Sequence, residues 1–252
     1  MKIPIFGIKI SILMSYEDAY MLLLNRVKSA QFPAYITVNN VHTIVEGVRN
    51  KEYAKVINNA FLALPDGKPL SIIAKKKGEK NITRIFGPTF MKKTLEWGQN
   101  DNLKHFFFGS SKETLNKMIA VIQKRFSMVN IVGAISPPFR KFSDQENAEY
   151  IQQINSVGPD IIWVGLGAPK QEVWMYENYK KLNKGIMVGI GAGFDYLAGN
   201  TKHAPQWMKN MALEWLYRLI QEPRRLWKRY LVTNTLFIVY ILLEILRLKK
   251  FE

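Results

Sequence analysis

The chain has 252 residues, 48% of them hydrophobic, and a formal charge of +16 at neutral pH. That content buries one substantial core and excludes a disordered chain, so a single α/β unit with an appendage is expected in place of two full domains. The absence of cysteine excludes disulfides, thiolate metal sites and thiol nucleophiles together, leaves catalysis to oxygen and nitrogen groups, and fits a reducing cytoplasm.

In chain order, residues 3–14 contain Pro4, Gly7 and Lys9 and read as a pair of strands, not as an export signal. Further strands are predicted at residues 34–39, 105–109, 129–133, 160–166 and 185–190, each rich in β-branched or aromatic side chains. Helical segments lie between most of them, and Ser110 with Glu113 and Ser143 with Glu146 have the spacing of capping boxes. This alternation predicts an α/β fold, a Rossmann-like, mostly parallel sheet flanked by helices, over residues 1–200. Residues 201–252 are expected to form a basic, amphipathic, helical appendage that associates with a membrane.

Several strand ends carry polar residues suited to a ligand. Thr37 and Asn39 alternate along one strand and so share a face, which suits sugar hydroxyls, while capping explains one of the pair Asn39 and Asn40. Pro65-Asp66-Gly67 places a carboxylate in a turn after the apolar residues 61–64. A plain turn explains that tripeptide, yet its apolar approach also suits a carboxylate tuned as a base. Gly109 and Ser110 follow the strand at 105–109, and Ser136-Pro137-Pro138-Phe139-Arg140 forms a rigid loop whose arginine meets either a phosphate or water.

Residues 158–172 read Gly-Pro-Asp-Ile-Ile-Trp-Val-Gly-Leu-Gly-Ala-Pro-Lys-Gln-Glu, a buried strand, a glycine turn and a helix start. Gly165 and Gly167 allow close backbone approach to an anion such as a sugar diphosphate, and Gln171 is left to read hydroxyls. Residues 189–193 spell Gly-x-Gly-x-Gly with Asp195 immediately after, which is not the dinucleotide-binding spacing. His42, His105 and His203 fall in separate elements and predict surface or capping roles, so no metal site is expected.

The basicity is regional. Residues 75–125 hold 12 Lys and Arg against 4 Asp and Glu, and residues 201–252 hold 10 against 4. The tail runs Arg218-Leu-Ile-Gln-Glu-Pro-Arg224-Arg225-Leu-Trp-Lys228-Arg229 into an eight-residue apolar run at 236–243. That run is shorter than a spanning helix needs, and cations, Trp227 and Tyr230 beside it predict a helix lying in the headgroup zone of an anionic membrane. Packing on its own domain or on a second copy is the alternative cover for this surface, so a homo-oligomer stands beside the membrane reading. The basic regions lack a single-strand platform or a helix-turn-helix, so nucleic acid is not an expected partner.

Residues 38–42, Pro65-Asp66-Gly67, residues 133–140, 158–172, 191–199 and 214–230, in this order and spacing, resemble the WecG/TagA/CpsF family of glycosyltransferases. The resemblance implies transfer of a sugar, often of N-acetylmannosamine type, from a UDP-sugar to an undecaprenyl-diphosphate-linked sugar at the inner face of the bacterial cell membrane. Inversion at the anomeric carbon and no metal cofactor are implied with it. By resemblance Asp66 is the general base, and Thr37 and Asn39 position the sugar and the base. Gly109, Ser110, Pro137, Gly165, Gly167, Gln171 and Asp195 make up the expected donor-binding set. Arg218, Arg224, Arg225, Lys228 and Arg229 are expected to hold the acceptor diphosphate or the membrane. The chain departs from the family at Thr89, where many relatives have Asp, and at His203, where they have Arg; the first departure predicts altered donor preference. Glucose, galactose or a uronic acid remains open as the donor sugar, and a non-catalytic membrane scaffold is the rival from another class.

Overall fold

A computed structural model describes residues 1–29 and 33–251. An antiparallel hairpin comes first, β1 (Lys2–Ile5) and β2 (Ile8–Ser11), followed by α1 (Tyr16–Lys28) and β3 (Ala34–Asn39). Two short helices, α2 (Val41–Arg49) and α3 (Lys51–Asn58), lead to β4 (Leu62–Pro65), α4 (Lys68–Lys76) and α5 (Gly87–Trp97). Then β5 (Lys104–Gly109), α6 (Lys112–Arg125), β6 (Asn130–Ile135), α7 (Asp144–Val157), β7 (Ile161–Gly165), α8 (Lys170–Asn178), a 3-10 turn at Tyr179–Lys181 and β8 (Ile186–Gly189) alternate. Four helices close the chain: α9 (Gly193–Leu197), α10 (Gln206–Asn210), α11 (Glu214–Gln221) and α12 (Pro223–Ile245).

The six longer-range strands form one parallel sheet in the order β4-β3-β8-β7-β5-β6. The central strands read as unbroken apolar runs because helices cover both faces; Ile161, Ile162, Trp163 and Val164 are all fully buried. One face packs Phe90, Met91, Leu115, Met118 and Phe194 from α5, α6 and α9, and the other packs Ile154, Trp174 and Met175 from α7 and α8. A third cluster lies to one side, where Ile5, Phe6, Ile8 and Ile10 of the hairpin meet α2, α3 and Phe237 and Tyr240 of α12.

Three local expectations are corrected. β4 escaped the strand pattern because Leu62–Pro65 is four residues long and ends in proline, a residue tolerated here at the strand's end. The cap of α6 is Ser111, whose Oγ accepts from Thr114 N at 3.2 Å, because Ser110 turns to φ 62 and leaves the helix axis. His105 is no surface residue: it is fully buried, and its Nδ1 accepts from Trp163 Nε1 at 3.2 Å. The Ser143–Glu146 capping box is formed as its spacing predicts.

Candidate active site

The parallel strands all end on one edge of the sheet, and there the loops after β3, β4, β5, β7 and β8 enclose a cleft of about 530 Å³. Ligands of open α/β sheets settle at this edge because chain crossings leave a crevice there and helix N-termini offer free amides. Asp66, Gly165, Gly167 and Asp195 line it together with Ser110 and Gln171. A smaller cavity of about 160 Å³ continues from it beneath α11 and α12, sharing Asp66, Phe86, Tyr196, Arg218 and Arg229.

Asp66 is held by its main chain. Its N–H and that of Gly67 both donate to the carbonyl of Asn39, at 2.8 and 3.2 Å, so the end of β3 fixes the turn after β4. Arg84, from the loop before α5, donates from Nε to the Asp66 carbonyl and places Nη2 at 3.3 Å from Asp66 Oδ1. Its Nη1 pairs with Glu214 at the start of α11, and its guanidinium lies over the Phe86 ring at 4.9 Å. One arginine therefore bridges the sheet-edge carboxylate and a carboxylate of the tail. Burial pushes the Asp66 carboxyl up to about 6, with Glu214 adding to the rise and Arg84 opposing it.

The glycine loops are fastened from below by Gln171. Its Oε1 accepts from Gly167 N at 3.2 Å and from Gly191 N at 3.0 Å, and its Nε2 donates to Glu172 Oε1 at 2.7 Å. Glu172 is fully buried, accepts from the Tyr53 hydroxyl at 3.2 Å, and is raised by burial to about 7. The amide expected to read hydroxyls thus spends its oxygen tying the β7–α8 and β8–α9 loops together.

The basic side of the cleft comes from the tail. Arg218 sits with its guanidinium 5.7 Å from the Tyr196 ring centre, bonds Glu222 at 3.2 Å, and keeps a buried Nε without a partner among the described residues. Arg225 pairs with Glu222 while facing the cleft, and burial beside Arg225 and Arg218 depresses the Arg229 guanidinium. Cations crowded at one wall favour an anion in front of them.

The remaining candidates are placed differently. Thr37 and Asn39 are fully buried and line neither cavity; Asn39 Nδ2 donates to Thr37 Oγ1 at 2.9 Å, and Asn39 Oδ1 has no partner among the described residues. They do share a face, but their side chains are wholly buried in it, while Val38 and Asn40 reach the cleft. Gly109 and Pro137 are also behind the lining: a Cβ on Gly109, which has φ 133, would lie 2.5 Å from the Gly165 carbonyl carbon, so this glycine permits β5 and β7 to converge. Ser110 is held to that junction by its N–H, which donates to Gly165 O at 3.1 Å. Lys228 faces an adjoining surface groove with His42 and Glu46, which shares Ala168, Arg225 and Arg229 with the cleft, and Arg224 is exposed and lines none of these cavities. Arg140 is taken by Glu146 at 2.6 Å.

Thr89 lines an adjoining cavity of about 430 Å³ beyond the Arg84–Glu214 bridge, and His203 stacks on Tyr196 with ring centres 4.6 Å apart. Among the described residues, no three His, Asp or Glu side chains converge as metal ligands. Arg84, Glu214, Tyr196, Tyr53 and Glu172 are the residues that sequence reasoning missed. Glu172, Tyr196 and Glu214 stood inside motif stretches without being singled out, while Arg84 and Tyr53 reach the site through the fold.

The WecG/TagA/CpsF glycosyl transferase family matches residues 3–251. A protein of Bacillus subtilis strain 168 named N-acetylglucosaminyldiphosphoundecaprenol N-acetyl-beta-D-mannosaminyltransferase is 30% identical over 202 residues, 79% of this chain and 75% of that protein. A protein of Staphylococcus aureus strain MW2 with the same name is 25% identical over 195 residues, 77% of this chain and 73% of its own length.

Proposed function

Since this chain belongs to the WecG/TagA/CpsF family of glycosyl transferases, we propose that it transfers N-acetylmannosamine from a UDP-sugar to an undecaprenyl-diphosphate-linked sugar, inverting the anomeric carbon. The names of the Bacillus and Staphylococcus relatives support the sugar and the lipid-linked acceptor. The observation that carries the reading is the Asp66 carboxylate, raised to about 6, at the junction between a glycine-lined cleft and a wall of arginines. A base works best when its proton affinity lies near the working pH, and Asp66 is ionised at neutral pH while still able to accept a proton.

In the proposed reaction, the acceptor hydroxyl gives its proton to an Asp66 oxygen as its own oxygen bonds to the anomeric carbon. The bond from that carbon to the UDP oxygen breaks on the opposite face, so one displacement inverts the centre. Negative charge grows on the departing diphosphate, and Arg218, Arg225 and Arg229 supply fixed cations facing it. No metal ion is needed in this scheme.

The acceptor's lipid requires a membrane nearby. Helix α12 is 23 residues long and has a mean hydropathy of 1.2 over its most apolar window, enough by length and composition to cross a membrane. Its inner side packs Phe237 and Tyr240 against Phe6, while Leu231, Ile238, Leu242 and Ile245 are exposed along the other. This two-sidedness, with Arg224 and Lys228 at the helix's basic end, supports a peripheral seat on the inner membrane face, with the exposed stripe in the headgroup zone.

The test is UDP release from a panel of UDP-sugars with a short-chain N-acetylglucosaminyl-diphosphate-lipid acceptor, with and without EDTA. Acceptor-dependent release from UDP-N-acetylmannosamine, unaffected by EDTA and falling about 100-fold or more in Asp66→Asn, is expected. Release from another donor would move the sugar. An unchanged rate in Asp66→Asn would remove the base, and loss with EDTA would remove the metal-free scheme.

A further inference from the structure

Arg84 touches two carboxylates that belong to different parts of the chain. Its Nη2 stands 3.3 Å from Asp66 Oδ1, and its Nη1 pairs with Glu214 Oε2, the first residue of α11. All three side chains are largely withdrawn from solvent, with 15 to 20% of each exposed. Screening by water is therefore weak, and charges a few ångströms apart act strongly on one another. The tail otherwise brings mostly cations to this end of the cleft, Arg218 and Arg229 among them. Charge of that sign alone would make Asp66 a weaker base.

Glu214 reverses the sign. It engages the guanidinium that would otherwise belong to Asp66 alone, and it adds a negative charge on the far side of that guanidinium. We propose that Glu214 is a positioning residue for the transfer reaction: by holding Arg84 when α11 is seated, it keeps Asp66 a strong enough base to take the acceptor's proton. This rests on the reading of Asp66 as the base. The tail then supplies more than a cover for the site, because its seating sets the proton affinity of a residue about 150 positions earlier in the chain.

Other groups face the same carboxylate and must be counted. Tyr16 approaches from α1 and Tyr196 from α9. Lys68 from α4, His42 from α2, and Arg218, Arg229 and Tyr230 from α11 and α12 border the same cavity. His203 and Lys209 lie on the Glu214 side. None of these groups is ion-paired with Asp66 among the described residues, whereas Arg84 and Glu214 join it into a continuous ion-paired chain. The direction found for Asp66 agrees, with Glu214 raising its proton affinity and Arg84 lowering it.

The test follows the Asp66 carboxyl directly, by its carbon chemical shift across pH in the full chain labelled with 13C-aspartate, the signal being assigned by its loss in Asp66→Asn. Seating of α11 is followed in the same samples by amide hydrogen exchange. In Glu214→Gln the midpoint is expected to fall by about half a pH unit or more, with α11 still protected. Glu214→Asp should keep it near the wild-type value, and Arg84→Gln should move it upward. The acidic limb of kcat/KM for UDP release should shift in the same directions. A midpoint in Glu214→Gln that stays or rises overturns the proposal. Loss of α11 protection in that variant also overturns it, since Glu214 would then only fasten the tail. Absence of sugar transfer in the wild type, with the midpoint shifts intact, would defeat the transferase reading and leave the coupling standing.

Discussion

Asp66 is a carboxyl group that the folded chain holds at about 6, well above the range of an exposed aspartate. The raised value means that the fold prefers the protonated form. The favourable contribution is complete below the unfolded pKa and is lost as pH rises through about 6. Asp66→Asn, which cannot ionise, is therefore expected to stabilise the chain by about 1–2 kcal/mol at pH 7.5 while abolishing transfer. Thermal melts at pH 7.5 and pH 5 check the sign: the advantage should shrink at the lower pH. A variant equally stable or less stable than wild type at pH 7.5 would contradict it. The residue itself was legible in the sequence because proline and glycine frame it. Its partner was not, since a lone arginine in Asn81-Ile82-Thr83-Arg84-Ile85 has no pattern around it and gains meaning only when the loop folds back on β4.

At the scale of elements, the parallel strands were legible wherever they were long and β-branched, and β4 was lost because four residues ending in proline look like the approach to a turn. The order of strands was not legible at all, since it depends on which crossovers pair in space. For the same reason the alternation of Thr37 and Asn39 gave their shared face and not its direction, which is fixed by the helices packed on β3. The loops show how such packing serves the site. Tyr53 holds Glu172, Glu172 holds Gln171, and Gln171 holds two glycine loops, so α3 at the back of the sheet steadies the front of the cleft. Glu172→Ala would leave the Gln171 amide and the Tyr53 hydroxyl buried without acceptors, at a cost of about 2–3 kcal/mol. The loops would part, and the KM for the donor should rise more than kcat falls. Urea melts and UDP-release kinetics read both effects, and an unchanged donor KM would separate the strut from the site.

For the whole molecule, the contacts that join the tail to the core include the ion bridge at Arg84, a second ion pair between Lys77 and Glu244 at 2.6 Å, the arginines along the cleft, and the aromatic cluster around Phe6. The basic charge and apolar run of residues 201–252 made a helical appendage legible. The extent of the helix was not, because Thr233, Asn234 and Thr235 interrupt the apolar run without breaking the helix; Thr233 turns its hydroxyl to the Arg229 carbonyl at 2.8 Å instead. If the exposed side of α12 meets lipid, Ile238→Ser with Leu242→Ser should weaken sedimentation with anionic vesicles several-fold. Stability should change by less than about 0.5 kcal/mol, because neither side chain is part of the packed face. Binding should also weaken between 0.1 and 0.5 M salt. Retention of full vesicle binding by the double variant would assign the stripe to another surface.

Phe6 stands at φ 50 in the turn of the hairpin, with Phe237, Tyr240 and Phe251 around it at ring separations of 4.9 to 5.8 Å. It lines neither the cleft nor the cavity beneath the tail, and a survey of inactivating substitutions ranked by nearness to Asp66 would pass it over. Yet it is the socket into which α12 is plugged, and α12 carries Arg225 and Arg229. On the proposed function, damage at this turn would therefore present as an enzyme with every reacting group intact and no grip on its anionic substrates, a lesion diagnosed at the wrong end of the molecule.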